Sequence, residues 1–435
     1  MNGRLITMND TRSNNDRSNK KQKKRNGFSL FMGLLFGIIF AINFFYWYPL
    51  AAEKFSLPKL PQVNTGTKDS TTVTADIEKP TSESHTTESS TQETIVEEKD
   101  AFYPRMNFQA SDQISTIYQP LSNKIDTMIQ QNNMTGTYLV VKNNQLVLYK
   151  SYGNAHEQIN DPYKSSYSIA SLQKSMTAVL LVQLVEEKKI SLDDHIDKFF
   201  PEIPNGQNIT LNQLLSMTSG LSLTDKKPSS TKSYQDLYNF VLTHTAYKDV
   251  TKWTYSEVNY LLATMIIEKV TGQGYDEVLE EKIIKPLNLE NSFVFNKRKE
   301  DQSLVKPIEN NQERDIPEYA VLNEVGIGNW AFTASDFLIF IQALLDGKLL
   351  NQESLNLLWS YPPALYNYSY KSGFYHYPTS NRGHGLFRSY EPTVHFSNSG
   401  DTAVLFFANT YQPNDLNAAL TKQIFETVVA DPAGL

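Results

Sequence analysis

Apolar and polar residues along this chain change rhythm several times, and each change predicts an element. Phe28 to Tyr48 is almost unbroken apolar sequence without a charge, and Phe44, Phe45, Tyr46, Trp47 and Tyr48 crowd its far end. That length spans a bilayer core of about 30 Å, with the aromatics as an interface belt. Residues 51–105 turn polar, acidic and repetitive, as in Thr81-Ser-Glu-Ser-His-Thr-Thr-Glu-Ser-Ser, and such a run cannot bury apolar surface. From Met106 the rhythm becomes helical, with Ile114, Ile117, Leu121, Ile125, Met128 and Ile129 spaced by three or four. Thr137–Lys142 and Gln145–Lys150 predict two strands, with Asn143-Asn144 as a two-residue hairpin turn. After Met176, the residues Val179, Leu180, Val182, Leu184 and Val185 resume helical spacing. Further helices are predicted over 191–201, 209–221 with a stop at Gly220, 260–271 and 336–345. Strands return at 394–396 and 403–409, and 413–430 closes as an amphipathic helix. Strands at both ends of a helical middle imply an α/β (α+β) fold, one sheet assembled from distant segments plus an inserted helical lobe.

The chain therefore divides into a basic cytoplasmic tail (1–26), a transmembrane anchor (27–50), a disordered linker (51–105) and a folded domain (106–435). Eight basic residues against Asp10 and Asp16 in the tail place the N-terminus inside, and the domain outside. A cleaved signal peptide is the competing reading, since Ala51-Ala52 follows the apolar run, but a signal core is usually about 7 to 15 residues long. The linker, with a random-coil span of roughly 40 Å, would lift the domain off the membrane. Overall net charge is −7, and removing the tail leaves about −13 outside, which disfavours nucleic acid as a partner. The absence of cysteine excludes disulfides, thiolate catalysis and zinc-thiolate sites. His376, His384 and His395 have no metal-ligand spacing, and neither metal nor cofactor is implied.

Candidate chemistry begins at Ser171-Leu-Gln-Lys174. Three residues apart on a helix, a hydroxyl and an amine share a face and can share a proton. Ser171 falls at the first turn, where free backbone N–H groups favour developing negative charge. Trp253, Tyr255 and Tyr260 cluster nearby in sequence, Trp330 reads as part of a tight loop entering a helix, and the aromatic run Tyr361–Tyr390 reads equally as a polymer-contacting surface or a packed insertion.

Five motifs in order then carry a resemblance: Ser171-Leu-Gln-Lys174, Leu214-Leu-Ser-Met-Thr-Ser-Gly-Leu221, Tyr255-Ser-Glu-Val-Asn-Tyr260, Gly326-Ile-Gly-Asn-Trp330 and Asn398-Ser-Gly-Asp401. Together they resemble the serine β-lactamase and penicillin-binding-protein-like hydrolases, especially the class C-like branch, over about residues 107–430. The resemblance implies an antiparallel sheet flanked by helices with an inserted all-helical lobe. It also implies a nucleophile, Ser171, whose proton passes to Lys174 and Tyr255, giving an acyl-enzyme that water resolves. By the same resemblance the oxyanion hole consists of the backbone N–H groups of Ser171 and Asp401, and Glu257, Asn398, Ser399 and Gly400 fall at substrate-binding positions.

Two positions depart from that family pattern. Glu257 stands where the second motif usually has asparagine; a carboxylate beside Lys174 favours the ammonium and shifts the burden to Tyr255, unless it points to solvent. With the third motif aligned on Asn398-Ser399-Gly400, its usual lysine or histidine is missing, and His395, three positions earlier, lies on the opposite strand face. One cation lost and one anion gained suit an ammonium-bearing substrate better than a free carboxylate. The expectation is a membrane-anchored envelope acyl hydrolase with D-alanyl esters of teichoic acid as favoured substrate. D-Ala-D-Ala peptides of the peptidoglycan stem are the rival, and a non-catalytic cell-wall binding protein is the reading from another class.

Overall fold

The computed structural model describes residues 104–109, 112–153, 161–248, 252–360 and 369–434. The expected tail, anchor and nearly all of the expected linker lie outside them. Among the described residues no helix is long and apolar enough to cross a membrane. Arg105, expected to belong to the linker, is already tied down by an ion pair with Asp346 and a hydrogen bond to Ser399 O.

After helix α1 (Gln119–Gln131) come strands β1 (Gly136–Lys142), β2 (Gln145–Tyr152) and β3 (Ser165–Ser168), then helices α2 (Gln173–Glu186), α3 (Leu211–Leu215) and α4 (Val258–Thr271). Strand β4 (Trp330–Phe332) and helix α5 (Ala334–Leu345) lead to β5 (Tyr370–Lys371), β6 (Phe374–His376), β7 (Ser380–His384), β8 (Glu391–Ser397), β9 (Ala403–Ala408) and helix α6 (Leu416–Ala430). The main sheet is antiparallel in the order β5-β6-β7-β8-β9-β1-β2. Asn143 and Asn144 both take positive φ, 51° and 56°, as the two-residue turn requires. β1 and β9 are buried on both faces. Tyr138, Val140, Val404 and Phe406 pack with α1 and α6, while Leu139, Val141, Leu405 and Phe407 join the larger core with α5. A one-residue slip would exchange the two sets, so the two cores together fix the register.

Several elements are shorter than their pattern predicts. Residues 191–201 form a single 3-10 turn, Ile196–Lys198, because His195 leaves the helix to bridge Thr210. The 209–221 segment is helical only over Leu211–Leu215, capped by Thr210 and Gln213 in a reciprocal box, and Met217 at φ 58° ends it before Gly220. The inserted lobe also carries a two-stranded ribbon, Leu221–Leu223 with Thr245–Tyr247, so it is not wholly helical. Helix α4 runs almost wholly apolar and is buried around its circumference, as such a helix must be.

Candidate active site

Strand β3 delivers the chain to a tight turn. Ala170 takes φ 44°, a left-handed conformation that costs a residue with a Cβ on the order of 1–3 kcal/mol and persists only where the surroundings impose it. Here they do. Ile169 N donates to Trp330 O at 3.0 Å, Leu172 N donates to Ile169 O at 3.0 Å, and Ala170 N donates to Ser168 Oγ at 3.2 Å. Two glycines make room: a Cβ on Gly328 would come within 3.2 Å of Ala170 Cα, and one on Gly385 within 2.9 Å of Ala170 Cβ, Ile169 O and Ser171 N. Gln173, inside the Ser-x-x-Lys motif, locks the turn to the Gly326–Trp330 segment by donating to Asn329 Oδ1 at 2.7 Å and accepting from Trp330 N at 3.0 Å.

On this turn the structure brings Ser171, Lys174 and Tyr255 together. Lys174 Nζ donates to Ser171 Oγ at 2.9 Å and to Ile327 O at 3.3 Å. The Tyr255 hydroxyl donates to Ser171 Oγ at 2.8 Å, and Lys174 Nζ lies 5.4 Å from the Tyr255 ring centre. Lys174 is fully buried, whereas Tyr255 is 40 % exposed, so solvent meets the trio from the phenol side. Tyr255 comes from a loop, and the Leu214–Leu221 motif holds that loop: Thr254 N donates to Met217 O at 3.0 Å, Asn259 Nδ2 donates to Met217 Sδ at 3.3 Å, and Ser219 Oγ donates to Asn259 Oδ1 at 2.5 Å. Behind Tyr255 stands an aromatic wall, Trp253 and Tyr255 edge-on to Tyr370 at 6.1 and 5.9 Å, and Tyr370 to Tyr375 at 5.0 Å.

Glu257 lies beside this trio, in company the sequence did not suggest. Lys227 Nζ reaches Glu257 at 2.7 Å and Glu324 at 2.6 Å, and also donates to Asn323 O at 3.0 Å. Burial pushes the Glu257 carboxyl up, but Lys227 first and Lys174 second more than offset it, so Glu257 sits below the ordinary glutamate value. Glu324 moves the other way, raised chiefly by burial despite Lys227. Lys227 stays above the ordinary lysine value because its two carboxylates outweigh its burial. Glu257 is thus the more readily ionised of the two and, with 39 % of its side chain exposed, the accessible one.

The Asn398–Asp401 segment does not join the site. It is the turn between β8 and β9, bonded through Asp401 O to Asn144 N and through Gly400 O to Gln342 Nε2, at the end of the sheet where β7 begins. Ser171 lies at the other end, against Gly385. Four to five residues of strand, roughly 15 Å, separate the two ends. The strand that runs beside the nucleophile turn is β7: Gly383 and Gly385 face it, one toward Leu172 and the other toward Ser171 N. Gly385 N donates to Pro392 O and Phe387 N to Tyr390 O, so by strand alternation the Leu386 N–H points away from β8. Gly383-His384-Gly385 thus stands where the third motif was expected, and it turns no basic side chain toward Ser171: His384 lies on the other face, with Nε2 3.1 Å from Glu391 Oε1. Lys227, Glu324, Gly385 and Leu386 escaped the sequence reading. The pattern Gly-His-Gly entering an apolar hairpin was the available signal.

Other candidates resolve plainly. Trp330 is in strand β4, 1 % exposed, with Nε1 donating to Asp276, and does not border the cleft. In the aromatic run, Tyr370 and Phe374 are buried and Tyr377 is exposed, while 361–368 lies outside the described residues. His395 is buried on the side of α6, away from Ser171.

Comparison with known proteins places this arrangement. The Bacillus subtilis (strain 168) protein PbpX is 30 % identical over 306 residues, covering 69 % of this chain and 76 % of its own. The teichoic acid D-alanine hydrolase of Staphylococcus aureus is 29 % identical over 322 residues, covering 71 % and 78 %. Among solved structures, FmtA from Staphylococcus aureus superposes with a TM-score of 0.63 at 27 % identity, covering 77 % of this chain and 91 % of that one. The D-amino acid amidase of Ochrobactrum anthropi SV3 shares the fold, with a TM-score of 0.59 at 19 % identity. The Beta-lactamase family matches residues 121–429, and with this fold and motif order the chain belongs to that family and is a serine hydrolase.

Proposed function

We propose that Ser171 is the nucleophile of an envelope acyl hydrolase that cleaves D-alanyl esters of teichoic acid. One observation carries the chemistry: an alcohol oxygen within 2.9 Å of a buried amine and 2.8 Å of a phenol, on a strained turn. Whichever of Lys174 and Tyr255 has released its own proton takes the one on Ser171, and the other returns a proton to the departing alcohol. The acyl oxygen, as it gains charge, is received by Ser171 N–H and Leu386 N–H, the latter in place of Asp401. Water then resolves the ester on Ser171.

The substrate class rests on charge. No cation faces Ser171 from β7, and the ionised Glu257 stands open beside the trio, an environment that favours an ammonium over a carboxylate. A relative named for teichoic acid D-alanine hydrolysis supports the same reading. Residues 27–50 would anchor the chain and 51–105 carry the domain into the wall. Supplying the full chain with D-alanylated teichoic acid and, separately, with a D-Ala-D-Ala peptide tests the assignment. Alanine is expected from the ester; release from the peptide alone would overturn it. Failure of Ser171 to acquire an acyl adduct from any activated ester would return the protein to the binding class.

A further inference from the structure

On the face of the sheet turned away from Ser171, β7, β8 and α6 line an open cavity of about 660 Å³. Cavities of that size hold small organic ligands. Arg382 and His395 are directly opposed across β7 and β8, so their side chains stand together on this face. Lys422 enters from α6, and Thr379 and Ser380 bring hydroxyls from the start of β7. His395 is 4 % exposed, yet its Nε2 has no hydrogen-bond partner among the described residues. That nitrogen has no exposed surface of its own, so a ligand satisfies it only as the ring turns toward the groove. We propose that this cavity binds a phosphate group, held by Arg382, Lys422 and the His395 imidazole.

The electrostatics agree. Burial, then Arg382, then Lys422 push His395 down to about 3, so the imidazole is neutral and has two cations beside it. The same two cations that repel a proton from His395 attract an anion to it. Arg382 stacks over the Tyr375 ring at 5.4 Å, which steadies its planar fork for two phosphate oxygens, and His395 is backed by Phe425 at 5.8 Å. Two carboxylates also line the cavity, Asp415 and Glu426. Glu426 is 3.5 Å from Lys422, but both side chains are more than 60 % exposed, so this pair is weak and easily exchanged for a phosphate. The volume exceeds one phosphate and leaves room for the polyol units flanking a phosphodiester. That the phosphate belongs to the polymer attacked at Ser171 rests on the function proposed above; the phosphate site itself does not.

The test uses the full chain with labelled histidine, the His395 ring signals being assigned through His395→Gln. The probes are inorganic phosphate, glycerol phosphate and alanine-free poly(glycerol phosphate). We expect millimolar phosphate to move the His395 signals, and Arg382→Gln with Lys422→Gln to weaken binding at least about tenfold, since each charged partner of a phosphate contributes a strong hydrogen bond. Turnover of a small D-alanyl ester should stay unchanged in the double variant. Tighter binding of the polymer than of glycerol phosphate assigns the site to a chain; equal binding assigns it to a small phosphate ester. Silence of the His395 signals with all three probes, or undiminished binding in the double variant, overturns the proposal. Phosphate binding without ester hydrolysis would sink the esterase reading and leave this one standing.

Discussion

Lys174 and Lys227 flank the same carboxylate, and their surroundings are opposite. Lys174 is wholly buried and donates to a hydroxyl and a carbonyl. Lys227 is held between two carboxylates at 2.7 and 2.6 Å. The second lysine thereby occupies the charge of Glu257 and Glu324 that would otherwise fall on the first. An amine meant to exchange a proton with Ser171 gains from being spared a direct ion pair, because a carboxylate in contact locks the ammonium form. The difference separates a group kept for chemistry from a group kept for charge balance, and it predicts different failures.

The largest effect tests that separation. Lys174→Met should lower turnover by about 10²–10⁴, the usual contribution of a positioned acid or base, while leaving the melting temperature nearly unchanged. Lys227→Met should do the reverse, destabilising the domain by about 3–5 kcal/mol because two carboxylates lose their partner in a largely buried place. Thermal melts read beside single-turnover acylation distinguish the two. Equal loss of stability in both variants would erase the contrast.

Next in size is a pair of glycines. Gly385→Ala brings a Cβ within 2.9 Å of backbone at Ile169 and Ser171, so the oxyanion site must open, and turnover should fall by about 10²–10³. Gly400→Ala, at φ 71° and clashing with the far end of Leu345 but with no backbone, should cost about 1 kcal/mol of stability and no activity. Had the third motif lain at residues 398–401, the order would be reversed.

That reversal shows what the chain made legible. Elements with a strict period survived folding: the hairpin at Asn143-Asn144, the apolar helix after Ser171, and strands 394–396 and 403–409 all appear. The Ser171–Lys174 pairing was readable because i and i+3 share a helix face by geometry alone. Strand adjacency was not, since a short Ser-Gly word has no period and β7 is recognised only by what it packs against. The ion network was invisible for a related reason. Lys227 and Glu324 are 97 residues apart, and nothing local marks either as a partner.

About a tenfold effect is expected at Glu257. Glu257→Gln should raise KM for an amino ester by about tenfold and leave its N-acetyl analogue unaffected, the size of one exposed charge contact. Because the Glu257 value is depressed, its charge is present above the ordinary glutamate value of 4.5 and is lost only as pH falls through the lower folded value. KM for the amino ester should therefore stay flat from neutral pH down past 4.5 and rise only below it. A rise that began near pH 6 would mean the carboxylate is not held by Lys227 and Lys174 as described.

Asp401 gives the smallest effect, and the sharpest check on where the site ends. Burial raises its carboxyl, but hydrogen bonds from Ser397, Ser399 and Thr402, with Arg105 nearby, bring it below its ordinary 3.8. It stabilises the turn between β8 and β9, and that contribution is complete above 3.8 and disappears as pH drops through the folded value. Asp401→Asn should thus cost about 1 kcal/mol at neutral pH and nothing once the native carboxyl is protonated, with acylation of Ser171 unchanged at every pH. A backbone N–H at this position acting on the acyl oxygen would be disturbed along with the turn, and acylation would slow in step with the lost stability. Parallel loss would restore the turn to the site; stability loss alone leaves the oxyanion role with Leu386.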